Sequence, residues 1–403
     1  MSVDFRTRVD SVDELAPVDV RRFFTVELPE ALTCHAMLLA PGIRHLAMTS
    51  FTFEVAGQLW TLIYNEGKVA VVEGGVTGAA HTRLSLEDFS GLVRDLYTPM
   101  TFLTGGDLDM VSGGLGDFLD CWLVLRGALD GRAIYTPGSI DFLDLEGKPL
   151  DLHRSFGLDD SLEEMSHFLH EAGFLHLVGL FSAAEMAEVS RDMDRAAVMY
   201  SDGDGNSWWA KTGDGTNRLV RMQGFDKQSP ITARLMGDDR LLSLGNLTGD
   251  SHVHGGMRGN RIEALIKPLD VVKGISDLPW HKDCSLGRHS YDCCSITVGI
   301  SVTGADANSG QLRVIAGSHR ALLWTALIDS SKHDLPNIEL PTQTGDVTVH
   351  LSCTLHMSQA PVDRERRVMY TGFRLPVKNA EAARESLARI SAVRESAYTT
   401  ISQ

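Results

Sequence analysis

The 403-residue sequence lacks paired cysteine motifs and long apolar runs. Its six cysteines include no C-x-x-C pair, which disfavours a zinc ribbon or a thioredoxin-type motif and favours free thiols in a reducing compartment. No apolar run approaches the ~20 residues that a membrane span requires. The polar and charged N-terminus, Met1 to Arg8, has no apolar core of the kind that a signal peptide needs. We therefore expect a cytoplasmic protein that does not span a membrane.

Basic residues are also scarce. The chain has 37 Lys and Arg against 53 Asp and Glu, which gives a formal net charge of −16 at pH 7. Because phosphate binding needs a basic surface, we expect neither nucleic acid nor an anionic membrane as a partner, and a small-molecule substrate instead. The length exceeds what a single hydrophobic core usually supports, so it predicts two domains.

The first domain is predicted to be a mixed α/β (α+β) unit. Residues 51–63 have the alternation of a strand, and a turn at Asn65-Glu66-Gly67 leads into a returning strand at 68–73. Ser85 is placed to cap a helix, and a last apolar helix is predicted from about residue 116 to 129. This order of elements resembles the sterol-carrier-protein-2-like (SCP2-like) fold over about residues 20–135. The matching segments are Trp60 with its hairpin, 84–89, 106–108 and 118–129.

That resemblance implies two alternatives for the first domain. Members of the family often bind lipids in an apolar tunnel, which would make this domain a binding module for an apolar substrate. The alternative is a structural or dimerising unit with a filled core, and a homodimer is then one expected assembly. A turn-rich, acidic stretch follows and predicts the boundaries: residues 1–140 for the SCP2-like domain, 141–160 for a linker, and 161–403 for the second domain.

The second domain is predicted to be mainly β, with flanking helices. From residue 261 onward, short strands alternate with turns, and such antiparallel strands fold as a sandwich or as a double-stranded β-helix, the cupin-like jelly roll. The predicted strands are Glu263–Lys267, Ser295–Val302, Gln311–Ile315, Val347–Leu351 and Val368–Arg374. Residues 201–217, which surround two tryptophans, are rich in Gly, Asp and Asn and predict a loop.

The sequence Trp280-His281-Lys282-Asp283 carries the chemistry. Alternate residues of a strand point to the same face, so His281 and Asp283 would lie side by side with Lys282 pointing away. His356, far downstream, is the candidate third ligand. Two histidines and one carboxylate, with the remaining positions open, form the facial triad of non-haem Fe(II) oxygenases. Two alternatives stay open: His252 with His254 as a rival metal pair, and His350 as the third ligand.

The segments around these residues resemble the phytanoyl-CoA dioxygenase family over about residues 160–375. They are the H-x-D motif, residues 309–320, Gly345-Asp346-Val347, the distal His356, and the arginines after it. The resemblance implies that His281, Asp283 and His356 hold Fe(II), and that 2-oxoglutarate and O₂ are co-substrates. It also implies that Arg367 binds the far carboxylate of 2-oxoglutarate with help from Ser358. Alternation lets only one of Arg366 and Arg367 face the barrel interior, and Lys267 is a further candidate for the pocket wall.

The resulting prediction is an Fe(II)- and 2-oxoglutarate-dependent dioxygenase. It would hydroxylate an unactivated C–H bond of a small, apolar or natural-product-like substrate and release succinate and CO₂. Desaturation, epoxidation and cyclisation remain open outcomes. Asp283 argues against a halogenase, because related halogenases replace this carboxylate with a small residue. Two other hypotheses remain: a lipid-binding carrier protein whose oxygenase-like half is inert, and a cupin-like metalloenzyme without a co-substrate. Lys282 stands where the family usually has Gln, and Gly299 where it often has an aromatic residue.

Overall fold

The computed structural model describes two units, each with its own hydrophobic core. The described residues are 16–99, 102, 108–250, 252–255, 261–274, 278–283, 295–324, 333–376, 379–381 and 384. One core draws on residues 20–134, and the other on residues from 156 to 373. The predicted domain boundaries remain a prediction.

The described part of the first unit is a five-stranded sheet packed against helices. The strand order is β3-β2-β1-β4-β5, with β1 and β4 parallel and the other pairs antiparallel. In chain order the elements are α1 (Val20–Arg22), a π-helical segment (Phe23–Glu27), α2 (Leu28–Cys34), α3 (Ala36–Leu46), β1 (Ser50–Val55), β2 (Gln58–Asn65), β3 (Lys68–Glu73), β4 (Ala80–Leu84), α4 (Leu86–Val93), β5 (Asp109–Ser112) and α5 (Leu115–Asp130).

Local sequence explains why these elements form where they do. The predicted hairpin is present as β2 and β3, with Asn65 opposite Lys68. Ser85 caps α4 by accepting a hydrogen bond from the backbone N–H of Asp88 at 3.0 Å, as its position predicted. The resemblance of this unit to the SCP2-like fold remains a prediction.

No single helix in the described ranges is long and apolar enough to cross a membrane. A pair of helical segments, Val20–Cys34 and Ala36–Leu46, reaches that length and composition only together, across a 95° bend. The cysteines of the described part, Cys34, Cys121 and Cys353, are free thiols, as the missing pair motifs predicted.

The second unit is built from two antiparallel sheets and outer helices. In chain order the elements are α6 (Leu162–Ala172), β6 (Phe174–Leu177), α7 (Ala183–Ala196), β7 (Ser207–Thr212), β8 (Asn217–Gln223), α8 (Pro230–Leu235), α9 (Asp239–Leu242), β9 (Val253–His254), β10 (Glu263–Lys267), β11 (Val271–Lys273), β12 (Leu278–His281), β13 (Ile296–Ser301), β14 (Leu312–Ile315), β15 (Asn337–Leu340), β16 (Val347–Leu351), β17 (His356–Ser358) and β18 (Arg366–Arg374), with 3₁₀ turns at Ala197–Met199, Phe225–Lys227 and Ser243–Asn246.

The described strands of this unit divide into a larger and a smaller sheet. The larger follows the order β11-β7-β8-β10-β18-β13-β16-β6, with β9 beside β18, and the smaller follows β12-β17-β14-β15. Pairing between strands distant in sequence, such as β10 with β18 and β12 with β17, is what a jelly roll requires. Side chains of the helices, the larger sheet and the smaller sheet share one core. This is the architecture expected of the predicted double-stranded β-helix.

The single strand predicted at 51–63 is two strands, β1 and β2, joined by a turn at Ala56 and Gly57. Two further segments differ from their predictions. Residues around Trp208 and Trp209 form the strand β7, which pairs with β8, because Trp209 packs against the second core and the Arg221 guanidinium lies 4.1 Å from the centre of the Trp208 ring. The predicted linker is folded onto the second unit: Phe156 is buried in its core and forms a bridge with Leu177. In both segments, residues typical of turns surround an aromatic side chain that packs in the second core, so the composition predicted a loop or a linker instead.

A segment between β14 and β15 joins the two units. Leu322 forms a parallel bridge with Ile134, and both Leu322 and Trp324 are buried in the core of the first unit. The Trp324 indole donates a hydrogen bond of 2.8 Å to the buried carboxylate of Asp120. The second unit thus contributes side chains to the first core, so the two units are packed together.

Candidate metal centre

The smaller sheet brings two of the predicted ligands into register. His281 on β12 lies directly opposite His356 on β17, and their ring centres are 4.2 Å apart. Asp283 follows β12 and turns its carboxylate toward both rings. One ligand atom from each of His281, Asp283 and His356 lies within 4.8 Å of the other two. The three residues that the sequence suggested as metal ligands therefore converge.

The distances within this triad suit a small metal ion. Asp283 Oδ1 lies 3.6 Å from His281 Nε2 and 3.5 Å from His356 Nε2. Two metal–ligand bonds of about 2.1 Å, separated by the roughly 90° angle of a six-coordinate site, place the ligand atoms about 3.0 Å apart. Little movement is needed for all three atoms to reach one ion.

The protonation state of His356 also suits coordination. Its Nδ1 lies 2.9 Å from the carbonyl oxygen of Thr354, which can only accept a hydrogen bond. Nδ1 therefore donates to this carbonyl, and Nε2, which faces Asp283, is the nitrogen left to coordinate a metal. A histidine ligand is commonly fixed in this way by a carbonyl or carboxylate behind it.

Asp283 is surrounded by histidines. Burial alone would raise the pKa of this carboxyl, but His356, His281 and His350 outweigh burial and hold the pKa well below its usual range. The carboxylate is therefore ionised at neutral pH, as a metal ligand must be. Its second oxygen, Oδ2, accepts a hydrogen bond of 2.8 Å from the Thr297 hydroxyl. The sequence analysis did not identify Thr297, because it lies on a different strand and carries no motif.

His350, the alternative third ligand, lies beside the triad but in a different position. Its ring centre is 4.2 Å from that of His356, and its Nε2 is 3.5 Å from Asp283 Oδ2. It faces the carboxylate oxygen that is turned away from the other two histidines. The rival pair does not converge: His252 contacts Asp250 and Thr248, whereas His254 hydrogen-bonds the Thr371 hydroxyl.

Lys282 anchors the H-x-D segment from the other side. Strand alternation turns it away from the two ligands, and it is fully buried with its ammonium group donating to the carbonyl of Ser318 at 2.9 Å. The Ser318 hydroxyl in turn accepts from the backbone N–H of Leu355, next to His356. This chain of contacts links the segments of two ligands, a role that the sequence analysis did not assign to Lys282.

A cationic cluster surrounds Ser358, on the same strand as His356. Lys267 Nζ donates to the Ser358 hydroxyl oxygen at 2.7 Å, and Arg366 Nη1 lies 3.1 Å from the same oxygen. Arg366 is 2% exposed, and its Nε has no hydrogen-bond partner among the described residues. Because Ser358 is two residues after His356 on β17, this cluster lies about 7 Å from the metal ligand and on the same face. We call Lys267, Ser358 and Arg366 the cationic cluster.

The structure does not bring Arg367 to this cluster. Its guanidinium packs against α7, where it forms an ion pair with Asp194 at 2.8 Å. It also forms an ion pair with Glu365, just before β18, at 3.0 Å. Lys267 pairs in register with Arg366, so alternation along β18 sends Arg366 inward and Arg367 to the outer face. The expected role of Arg367 is corrected accordingly: Arg366 is the arginine that shares the barrel interior with Ser358 and Lys267.

Two histidines and a carboxylate inside a β-helix of this kind define the class of non-haem Fe(II) enzymes. Residues 169–368 match the family model of phytanoyl-CoA dioxygenase (PhyH), which confirms the resemblance seen in the motifs. The family and the donor set together identify Fe(II), 2-oxoglutarate and O₂ as cofactor and co-substrates. No curated protein sequence matches the chain.

The chain is also similar to several solved structures. The 2-oxoglutarate-dependent epimerase SnoN of nogalamycin biosynthesis is 19% identical, with 55% of this chain and 86% of that chain covered and a TM-score of 0.42. AviO1 from Streptomyces viridochromogenes Tue57 is 18% identical, with 54% and 96% covered and a TM-score of 0.44. EctD from S. alaskensis, solved with 2-oxoglutarate and 5-hydroxyectoine, is 20% identical, with 62% and 90% covered and a TM-score of 0.43. Identity at this level does not transfer an activity.

Proposed function

We propose that the protein is an Fe(II)- and 2-oxoglutarate-dependent dioxygenase that hydroxylates an unactivated C–H bond of a small molecule. The observation that carries the proposal is the placement of the cationic cluster beside the triad of His281, Asp283 and His356. One end of this interior can hold a metal ion and the other a carboxylate. A short dicarboxylate with a keto group next to one carboxyl matches both ends.

The triad would hold Fe(II) and leave the remaining coordination positions for ligands. Bound Fe(II) would supply the activation of O₂ coupled to oxidative decarboxylation of 2-oxoglutarate, with succinate and CO₂ as products. The work of the protein is to keep His356 in the tautomer that coordinates, to keep Asp283 ionised, and to exclude competing ligands. The contacts of His356 with Thr354 and of Asp283 with Thr297 support these roles.

Arg366 is the group that we assign to the far carboxylate of the co-substrate. A guanidinium pairs with a carboxylate through two parallel hydrogen bonds, which an ammonium group cannot copy. The Nε of Arg366, which has no hydrogen-bond partner in the described part of the chain, supplies a free donor. Lys267 adds a second positive charge beside it, and Ser358 adds a hydroxyl that contacts both side chains. Lys267 and Ser358 therefore keep the cofactor-binding roles proposed from sequence, and Arg366 replaces Arg367.

The first unit supports a structural role better than a carrier role. Phe24, Phe53 and Phe89 are almost completely buried, with ring centres between 5.4 and 6.0 Å apart, so aromatic rings fill the space between sheet and helices. A cavity at the contact between the units, lined by Tyr135 and Trp324, measures about 20 Å³ and holds no more than a water molecule. Among the described residues of the first unit, this filling favours a structural role over a lipid tunnel.

The proposal is tested by O₂ uptake and succinate formation in the presence of Fe(II), a reductant and 2-oxoglutarate. The wild-type protein and the His254→Ala variant should both consume 2-oxoglutarate, because His254 lies outside the triad. The His281→Ala variant should not. Metal-dependent O₂ uptake that ignores 2-oxoglutarate would instead favour a cupin-like enzyme without a co-substrate. Product analysis with candidate substrates then separates hydroxylation from desaturation, epoxidation and cyclisation.

A further inference from the structure

The two oxygens of the Asp283 carboxylate have different surroundings. Oδ1 faces the Nε2 atoms of His281 and His356, at 3.6 and 3.5 Å. Oδ2 accepts a hydrogen bond from Thr297 at 2.8 Å and lies 3.5 Å from the Nε2 of His350. One oxygen is therefore directed at the metal position and the other at the wall of the larger sheet.

Thr297 and His350 reach Oδ2 as a pair. They are directly opposite each other on the neighbouring strands β13 and β16, so their side chains point to the same face of the sheet. His350 is 1% exposed, and neither of its ring nitrogens has a well-formed hydrogen bond within the described ranges. A buried imidazole without an acceptor is unfavourable. Asp283 Oδ2 is the acceptor that faces it.

The consequence concerns how many coordination positions the carboxylate occupies. A carboxylate binds a metal through one oxygen or through both, and the second oxygen uses a position that another ligand would need. The Thr297 hydroxyl holds Oδ2 by a hydrogen bond and the His350 imidazole faces it at 3.5 Å, so both oppose its rotation toward the metal.

We propose that Thr297 and His350 are positioning residues that restrict Asp283 to coordination through Oδ1 alone. The open positions then remain for the two donor atoms of 2-oxoglutarate and for O₂. This inference rests on the proposed function, because it assumes a metal at the triad. The larger sheet then helps to shape the metal site through Thr297 and His350, although none of the three ligands lies on its strands.

The test uses Co(II) as the probe, added to the metal-free protein without co-substrate. Thr297→Val removes the hydroxyl at constant shape, whereas Thr297→Ser keeps it. Thr348→Val is the matched control, because Thr348 is a buried threonine on β16 that does not contact Asp283. The readouts are the dissociation constant of Co(II) and the visible absorption of the Co(II) protein, which reports coordination number.

We expect Thr297→Val to weaken Co(II) binding about 10-fold or more, the range for loss of a group that orients a metal ligand. Its visible spectrum should change, whereas Thr297→Ser and Thr348→Val should resemble the wild type in both readouts. His350→Phe should act in the same direction as Thr297→Val, and His350→Gln, which retains an N–H donor, should be milder.

Equal affinity and identical spectra for Thr297→Val and Thr297→Ser would overturn the inference while the wild-type metal site stands. That comparison decides the matter even if the His350 variants do not fold. A wild-type protein that binds no Co(II) would instead overturn the proposed function, and the inference with it. The two failures are therefore distinguishable.

Discussion

Replacing Arg366 by Met should weaken the use of 2-oxoglutarate more than any other single change outside the triad. The side chain is 2% exposed, so its charge acts in a site from which water is largely excluded. A hydrogen bond to a charged group contributes about 1.5–3 kcal/mol, which is roughly a 10- to 150-fold change. We expect the KM for 2-oxoglutarate to rise by about that factor, measured as succinate formed at saturating Fe(II).

Arg367→Met provides the matched control, one residue away on the opposite face. It removes ion pairs to Asp194 and Glu365 that are partly exposed, with Asp194 at 64%, and such pairs contribute about 0–1 kcal/mol. The KM for 2-oxoglutarate should stay within about twofold of the wild type. Arg366→Lys should recover only part of the loss, because lysine lacks the fork. If Arg367→Met rather than Arg366→Met raises the KM, the assignment of the inward face of β18 is wrong.

Three further predictions concern stability and the contact between the units. Trp324→Ala should destabilise the protein by about 3–5 kcal/mol in urea unfolding, because it empties a buried indole site and removes a hydrogen-bond donor from the Asp120 carboxylate. An effect below about 1 kcal/mol would contradict this packing. Burial lowers the pKa of His319 to about 3, from an ordinary value of 6.5 in the unfolded chain. Below pH 6.5 the unfolded state therefore gains a proton that the folded state does not. The free energy of unfolding should fall by about 2 kcal/mol between pH 7 and pH 5 through His319 alone. His319→Gln should flatten the pH dependence of the free energy of unfolding by that amount, and an unchanged pH dependence would refute this. Gly310→Ala should lower stability, because a Cβ there would lie 2.2 Å from the Gln359 carbonyl oxygen. It should also lower the affinity for 2-oxoglutarate, because the Gly310 carbonyl accepts a hydrogen bond from Arg366. Wild-type values for both quantities would contradict this constraint on the turn.

The triad could be predicted from sequence because strand alternation is a local pattern and the order of the family motifs can be read along the chain. His281 and Asp283 are two residues apart, and His356 follows in the order that the family motifs require. The choice between Arg366 and Arg367 could not be made in the same way. Alternation says that one of them faces inward, but which one depends on the register of β18 against β10, where Lys267 meets Arg366. That register is set by pairing between segments about 100 residues apart, and no local sequence pattern predicts it.

Other features were beyond sequence reasoning for a related reason. Trp324 lies in the second predicted domain but is buried in the core of the first, and no periodicity marks a residue that crosses between units. Thr297 and His350 reach Asp283 from a different sheet, so their role depends on how the two sheets face each other. Lys282 was seen only as a departure from the usual glutamine, whereas its buried ammonium group ties the H-x-D segment to Ser318. In each case the decisive contact joins segments that are distant along the chain.

An anaerobic Fe(II) titration of the metal-free protein tests the central claim most directly. The account predicts one tightly bound ion per chain in the wild type, and at least 100-fold weaker binding after Asp283→Ala, because the only carboxylate of the triad is lost. Thr348→Val should bind as the wild type does. A wild-type protein that takes up no Fe(II), or an Asp283→Ala protein that binds it with unchanged affinity, would contradict a metal centre at these three residues.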